Sequence, residues 1–352
     1  MSAPSPVAES TSVGPPANFA ALETYLAPLR RFLEADITEL CINGPGEVWV
    51  ESAAGWERHP VPELTADHLM TLATLCANAS SQAINKQNPV LSAPLPRGER
   101  VQVVIPPAAS RISITIRKPS KARYTLAQYE ASGFFENARH TCISTTPHPG
   151  LRQAEKDMLA MLSAGRVREF FEAAVENKLN MVVSGATGSG KTTFMKSLAD
   201  LIPAVERLVT IEDTAELSLS QPNVVRLFYS KDDQGVSKAT PKSLLESCLR
   251  MKPDRILLAE LRGEEAFYYV RNVNSGHPGS ITSLHAGSEL LAFEQLILLI
   301  KESEAGRNID RADLKQLLFS LVDVVVQVGR VNGRRGVSGI YFDPSRKLEL
   351  VG

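Results

Sequence analysis

The stretch that most constrains this 352-residue chain is Gly185-Ala186-Thr187-Gly188-Ser189-Gly190-Lys191-Thr192, which satisfies the template G-x-x-x-x-G-K-[ST]. Its flanks supply the context that the template requires. Met181-Val182-Val183-Ser184 reads as a short buried strand, and Thr193-Phe194-Met195-Lys196-Ser197-Leu198-Ala199 reads as a helix that stops before Pro203. In that order, backbone N–H groups can close around phosphate oxygens at the positive end of a helix dipole. Lys191 would reach the β and γ phosphates, and the Thr192 hydroxyl would ligate Mg2+. Residues Gly185 to Thr193 are therefore the expected nucleotide-binding residues, with ATP and Mg2+ as cofactors.

Composition sets the outer limits. The chain is 43% hydrophobic and 22% charged, ordinary for a globular protein and wrong for a disordered or fibrous one. With 38 basic against 39 acidic side chains, no global excess of positive charge draws it to nucleic acid or anionic lipid. Cys41, Cys76, Cys142 and Cys248 are far apart with no C-x-x-C pair, which favours reduced thiols in a cytosolic protein and excludes a tetracysteine metal module. No apolar run approaches the ~20 residues that cross a bilayer. The most apolar segments, Leu291 to Ile300 and Leu317 to Val328, contain Glu294 and Asp323 and read as core elements. Residues 1–17, rich in Ser, Pro and Ala, are expected to form a disordered tail.

Two domains are expected. In residues 18–119 the alternating runs Thr38 to Ile42 and Glu47 to Glu51 flank Asn43-Gly44-Pro45-Gly46, a hairpin signature. A helical pattern from Leu64 to Gln82 and strands at Arg100 to Ile105 and Ser113 to Arg117 complete a small α+β domain. Residues 120–151 lose periodicity and read as a linker. From residue 152 to 352 strand and helix alternate, with strands at Arg207 to Ile211, Arg255 to Glu260 and Ser280 to His285 and a helix at Glu289 to Ile300. That alternation implies α/β architecture with a largely parallel sheet covered by helices.

Hydrolysis of a nucleotide needs groups that hold metal, orient water and offset charge in the transition state. Ile256-Leu257-Leu258-Ala259-Glu260 is an apolar strand ending in a carboxylate, and Val209-Thr210-Ile211-Glu212-Asp213 is a second. His277 and His285 lack companion ligands at metal-site spacing. His285, at the end of a strand, suits a sensor of phosphate.

Four features, Gly185 to Thr192, Thr210-Ile211-Glu212-Asp213, Ala259-Glu260-Leu261-Arg262-Gly263, and Gly276-His277-Pro278-Gly279 through His285-Ala286, together resemble the Walker A, Asp box, Walker B and His box of the secretion ATPase superfamily. Glu-Leu-Arg-Gly after the Walker B strand and the hairpin at Asn43 to Val48 most resemble the traffic ATPase of bacterial type IV secretion systems. The resemblance spans roughly Asp36 to Phe342. It implies a RecA-like C-terminal P-loop domain and a smaller N-terminal domain, assembled as a homo-hexamer that binds ATP between the two. It also implies partners in a secretion apparatus at the cytoplasmic face of the inner membrane and a protein or nucleoprotein substrate, without strong direct nucleic-acid binding. Carried over, Lys191 and Thr192 hold phosphates and metal, Glu212 and Glu260 position or activate water, with Glu212 leaning to base and Glu260 to metal-bound water, and His285 senses the γ phosphate. Arg100 and Arg117 match the N-domain arginines that approach the nucleotide, and Arg250 is a weaker candidate for a contact across subunits. Ala259 stands where the family usually has Gly, and Gly287 where Asn is common. The competing readings are a pilus or type II secretion motor, an ATP-switched assembly scaffold and a DNA-translocating helicase.

Overall fold

The computed structural model describes residues 17–52, 54–118, 123–213, 215–229, 239–331 and 333–351, so the expected tail lies almost wholly outside the described residues. The described chain falls into two compact units that divide near residue 120.

The first unit holds α1 (Ala17–Tyr25), α2 (Arg30–Glu34), β1 (Glu39–Ile42), β2 (Glu47–Ser52), β3 (Gly55–Pro60), α3 (Ala66–Ala79), β4 (Val90–Pro94), β5 (Arg100–Val104) and β6 (Ser113–Arg117). Its six strands form one antiparallel sheet in the order β3-β2-β1-β6-β5-β4. The expected hairpin is present, with Glu39 opposite Glu51. Alternation dictates the two faces: Leu40, Ile42, Val48, Val50, Val101, Val103, Ile114 and Ile116 are buried with Leu69, Leu72 and Cys76 of α3. Glu39, Arg100 and Arg117 lie on the opposite face. β3 escapes sequence reading because Gly-Trp-Glu-Arg-His-Pro is an exposed edge with no apolar alternation.

The second unit begins with α4 (Leu126–Ala131), β7 (Arg139–Thr141), α5 (Gln153–Ser163), α6 (Val167–Glu176), β8 (Met181–Ser184), α7 (Lys191–Ala199), β9 (Leu208–Glu212) and β10 (Val224–Phe228). It continues with α8 (Pro241–Cys248), β11 (Arg255–Leu258), α9 (Glu265–Asn274), β12 (Ile281–Leu284), α10 (Glu289–Glu302), α11 (Arg311–Leu321), β13 (Val324–Val331), β14 (Arg334–Phe342) and α12 (Pro344–Val351). Its sheet runs β10-β9-β11-β12-β8-β13-β14-β7 and is parallel except for the hairpin of β13 with β14. Both faces are covered, as a parallel sheet requires. Met181, Val183, Leu257 and Ile281 point into a core with α5, α6 and α7, while Val182, Ile256, Leu258 and Leu284 point into one with α8, α9, α10 and α11.

Of the stretch 120–151, expected to be a linker, residues 123–151 contribute structure to this unit. Tyr129, Phe134 and Phe135 pack on Phe194 of α7, and β7 pairs with β14. Asp343 accepts hydrogen bonds from the Ile143 and Ser144 amides, both at 2.7 Å. These anchors are distant in sequence, so local periodicity does not reveal them. The apolar run from Leu317 to Val328 breaks at its acid. Asp323 separates α11 from β13 and accepts from the Asn180 amide at 2.8 Å and from Lys347 Nζ at 2.7 Å.

At the amino end of β11, Arg255 is fully buried and held by both carboxylate oxygens of Glu206, at 2.8 and 3.0 Å, and by the Val175 carbonyl at 2.8 Å. Hydrogen bonding from Arg255 depresses the Glu206 carboxyl below its ordinary value of 4.5. A depressed carboxylate stabilises the fold above its unfolded pKa and loses that contribution as pH falls through the folded one. Glu206→Gln is therefore expected to destabilise the protein by about 3 kcal/mol at pH 7, because it leaves a buried guanidinium without its anion. Urea unfolding should show the gap from the wild type narrowing below pH 4.5.

Candidate active site

Strands β9, β11, β12 and β8 are adjacent and parallel, so the residues that follow them emerge on one edge of the sheet. That edge gathers Asp213, Glu260, His285 and the glycine-rich loop, the place where open α/β sheets bind ligands.

The loop is shaped by its glycines. A Cβ on Gly185 would lie 2.1 Å from the Val328 carbonyl oxygen, and Gly190 has φ +100°. Gly190 is also the residue that caps α7, and it offers no side-chain bond to the first-turn amides. Those amides stay aimed at the loop. The hydroxyls of Ser184 and Ser189 are buried and without a hydrogen-bond partner among the described residues. Orphaned buried donors beside an uncapped helix start fit a ligand rich in anionic oxygen.

Lys191, 7% exposed, turns its ammonium back onto this loop. It donates to the carbonyls of Gly185 at 2.9 Å and Ala186 at 3.1 Å, and it lies 3.3 Å from His285 Nδ1. Burial first, and then the Lys191 charge, lower the pKa of His285, so its imidazole is neutral at neutral pH. His285 Nε2 lies 2.6 Å from Glu260 Oε1. The other oxygen of Glu260 meets the Arg262 guanidinium, which also donates to Asp213 Oδ2 at 3.0 Å. Lys191, His285, Glu260, Arg262 and Asp213 thus form one continuous chain of contacts. Thr192 and Thr193, both half-buried, occupy the first turn of α7 beside Lys191.

Glu212 is placed differently. It is fully buried, and its carboxylate accepts from the amides of Glu216 at 2.7 Å and Leu217 at 2.6 Å, from Thr210 Oγ1 at 2.8 Å and from Arg226 at 3.2 Å. Both oxygens are committed to the protein's own donors, whereas Glu260 faces the loop through His285. This geometry argues against the expected lean toward Glu212 as the base.

His277 precedes β12 and His285 follows it, so the two histidines lie at opposite ends of one strand. Arg250 is exposed in the turn after α8, its amide bonded to the Ser247 carbonyl at 3.0 Å. Ala259 is accommodated: its N–H bonds the Ile211 carbonyl at 3.0 Å, and its own carbonyl accepts from Ser283 Oγ at 2.7 Å. In the first unit, Arg100 and Arg117 are directly opposite each other on β5 and β6. Glu39 flanks Arg117 on the other side, with its Oε1 3.8 Å from Arg117 Nε.

Sequence reading missed Arg226 and the bridging role of Arg262. A lone arginine inside the apolar strand Val224-Val225-Arg226-Leu227-Phe228 is the available signal for the first, since a guanidinium there needs an anion. Arg262 carried no such signal, because it follows its strand.

A phosphate cradle joined to a carboxylate at the carboxyl edge of a doubly wound parallel sheet defines a P-loop nucleotide hydrolase of the RecA-like kind. Residues 152–328 match the family described as Type II/IV secretion system protein. The chain is 45% identical to the type IV secretion system protein VirB11 of Bartonella quintana over 339 residues, 94% of this chain and 95% of that one. It is 46% identical to VirB11 of Brucella suis, covering 94% and 92%, and 40% identical to PtlH of Bordetella pertussis, covering 92% and 95%. The crystal structure of the VirB11 ATPase from the Brucella suis type IV secretion system in complex with sulphate resembles it with a TM-score of 0.53 at 46% identity, over 93% of this chain and 99% of that one. The pilus retraction motor PilT with bound ADP, at 15% identity, a TM-score of 0.57 and coverage of 93% and 87%, shares the fold. The chain belongs to the VirB11 family of type IV secretion ATPases, and it is an ATP hydrolase with a RecA-like C-terminal domain and a separate N-terminal domain.

The contrast between the two glutamates is testable. Glu212→Gln sets an amide against donors and leaves Arg226 without its anion, so it should lower stability by about 3 kcal/mol in urea unfolding. Glu260→Gln should unfold like the wild type yet lose at least tenfold in phosphate release.

Proposed function

We propose that this chain assembles as a homo-hexamer that couples ATP hydrolysis to movement of its two domains and so powers substrate transfer or pilus assembly by a type IV secretion apparatus. The observation that carries this reading is the run of close approaches from the phosphate-loop Lys191 to His285 Nδ1, 3.3 Å, and from His285 Nε2 to Glu260 Oε1, 2.6 Å. Arrival of an anionic triphosphate gives the Lys191 ammonium better acceptors than two neutral carbonyls. Its departure alters the field at His285, and His285 touches the carboxylate that handles water. Occupancy of the loop is thereby felt at Glu260.

Within this scheme Glu260 orients or activates the attacking water, and Glu212 fixes the backbone that follows β9. Thr192 and Glu260 would hold Mg2+ between them, and the bound ion would offset charge on the phosphates. Arg100 and Arg117 supply further positive charge to the nucleotide. Their place opposite each other on neighbouring strands, which puts two guanidinium groups on one face of the sheet, supports this role. No helix among the described residues is long and apolar enough to cross a membrane. We place the protein peripherally at the cytoplasmic face of the inner membrane. The transported substrate is a protein or nucleoprotein.

Phosphate release, measured together with mass in solution with and without ATP, tests the whole reading. Turnover by a six-subunit species supports the motor, whereas a six-subunit species with negligible turnover favours the scaffold. Lys191→Ala should stay folded and lose hydrolysis by at least a hundredfold, since it removes the ammonium that lies against the loop carbonyls of Gly185 and Ala186. Arg100→Ala and Arg117→Ala should each lower kcat/KM about tenfold with unchanged unfolding midpoints; wild-type kinetics in both would remove the N-domain from the chemistry.

A further inference from the structure

The segment after β11 is held more rigidly than a strand-end turn requires. The Ala259 amide bonds into β9 at the Ile211 carbonyl, 3.0 Å, and the Leu261 amide bonds to the Ser283 carbonyl of β12, 2.8 Å. Glu265, 7% exposed at the start of α9, accepts from the next two amides, Arg262 at 2.5 Å and Gly263 at 2.9 Å. The backbone of Arg262 is thus fixed from three sides. From that platform its side chain reaches two carboxylates on different strands, Glu260 after β11 and Asp213 after β9. Asp213 and Glu260 are themselves only 11% and 17% exposed at their side chains.

The arrangement has a direction. Glu260 has two oxygens, and Arg262 takes the one turned away from His285. Left alone, a glutamate at a strand end can sample several rotamers, and two nearby carboxylates would repel each other. One guanidinium between them removes both freedoms, because a planar fork with five donors holds two acceptors at fixed angles. The oxygen left over is the one that faces the phosphate loop.

We infer that Arg262, anchored by Asp213, is a positioning residue that aims Glu260 Oε1 at the reacting centre of the ATPase site. This rests on the reading of Glu260 as the carboxylate that handles water. Arg262 itself touches neither nucleotide nor water in this scheme. Asp213 acts through Arg262.

The test is a set of full-length variants, Arg262→Ala, Arg262→Lys, Asp213→Asn and the double variant Asp213→Asn with Arg262→Ala, with Glu260→Gln as reference. Steady-state hydrolysis, affinity for a fluorescent ATP analogue and thermal unfolding are measured for each. Arg262→Ala should lower kcat ten- to a hundredfold while nucleotide affinity stays within threefold and the melting temperature is nearly unchanged. Arg262→Lys, which can hold one carboxylate at a time, should recover part of that kcat. Asp213→Asn should lower kcat severalfold, and the double variant should be no slower than Arg262→Ala alone. Wild-type kcat in Arg262→Ala, or losses that multiply in the double variant, would overturn the inference while leaving Glu260 in place. A fall in affinity and melting temperature matching the fall in kcat would assign Arg262 to the fold and overturn it too. Should Glu260→Gln turn over normally, the role of Glu260 falls and the inference falls with it.

Discussion

Lys191 is a buried residue whose ammonium needs acceptors, and two of them are the carbonyls of its own loop. The rest of the site depends on this. Gly185 must lack a side chain to let the loop pass beneath Val328, and Gly190 must take a positive φ so that α7 can begin at Lys191. Because two neutral carbonyls satisfy a cation less well than phosphate does, the closed loop is poised toward an anion. His285 stays neutral beside it, partly because the same ammonium disfavours a second charge.

Charge is distributed unequally along the second unit. At the amino end of the sheet, Arg255 and Glu206 form a buried pair that also contacts the Val175 carbonyl and, through Glu206, Lys178 at 3.3 Å, an arrangement suited to holding β11 in place. At the carboxyl end, each of His285, Glu260 and Arg262 contacts a different partner on either side, in a run from Lys191 to Asp213. The first arrangement resists change because any loss strands a buried charge. In the proposed scheme the second transmits change, because displacing one member alters the field felt by the next. Glu212 belongs by this criterion with the structural pairs, although it sits in the sequence beside Asp213, which belongs with the chain.

The sheet order converts four separate motifs into one site. β9, β11, β12 and β8 come from segments more than twenty residues apart, yet they lie side by side and point the same way. Crossovers that include α8 and α9 carry the chain back so that successive parallel strands end on the same edge. The N-terminal unit works by a similar rule on an antiparallel sheet, where register alone brings Arg100 beside Arg117.

Local chemistry was legible from the sequence. The glycine-rich loop, its flanking strand and helix, the carboxylates at strand ends and the alternation of the hairpin are all set by neighbours within a few residues, and all are found where the pattern puts them. The doubly wound architecture followed from the order of such elements. What only the tertiary structure decided was which strand-end group faces the loop. Glu212 and Glu260 end similar apolar strands, and spacing cannot distinguish a carboxylate surrounded by its own chain's amides from one turned toward His285. That difference depends on donors from Arg226, Glu216 and Leu217 and on the neighbours chosen by strand order. The same holds for 120–151, whose aromatic residues lack helical or strand period and find partners on Phe194 and β14. Periodicity records which side of an element is buried; it carries no record of what the buried side meets.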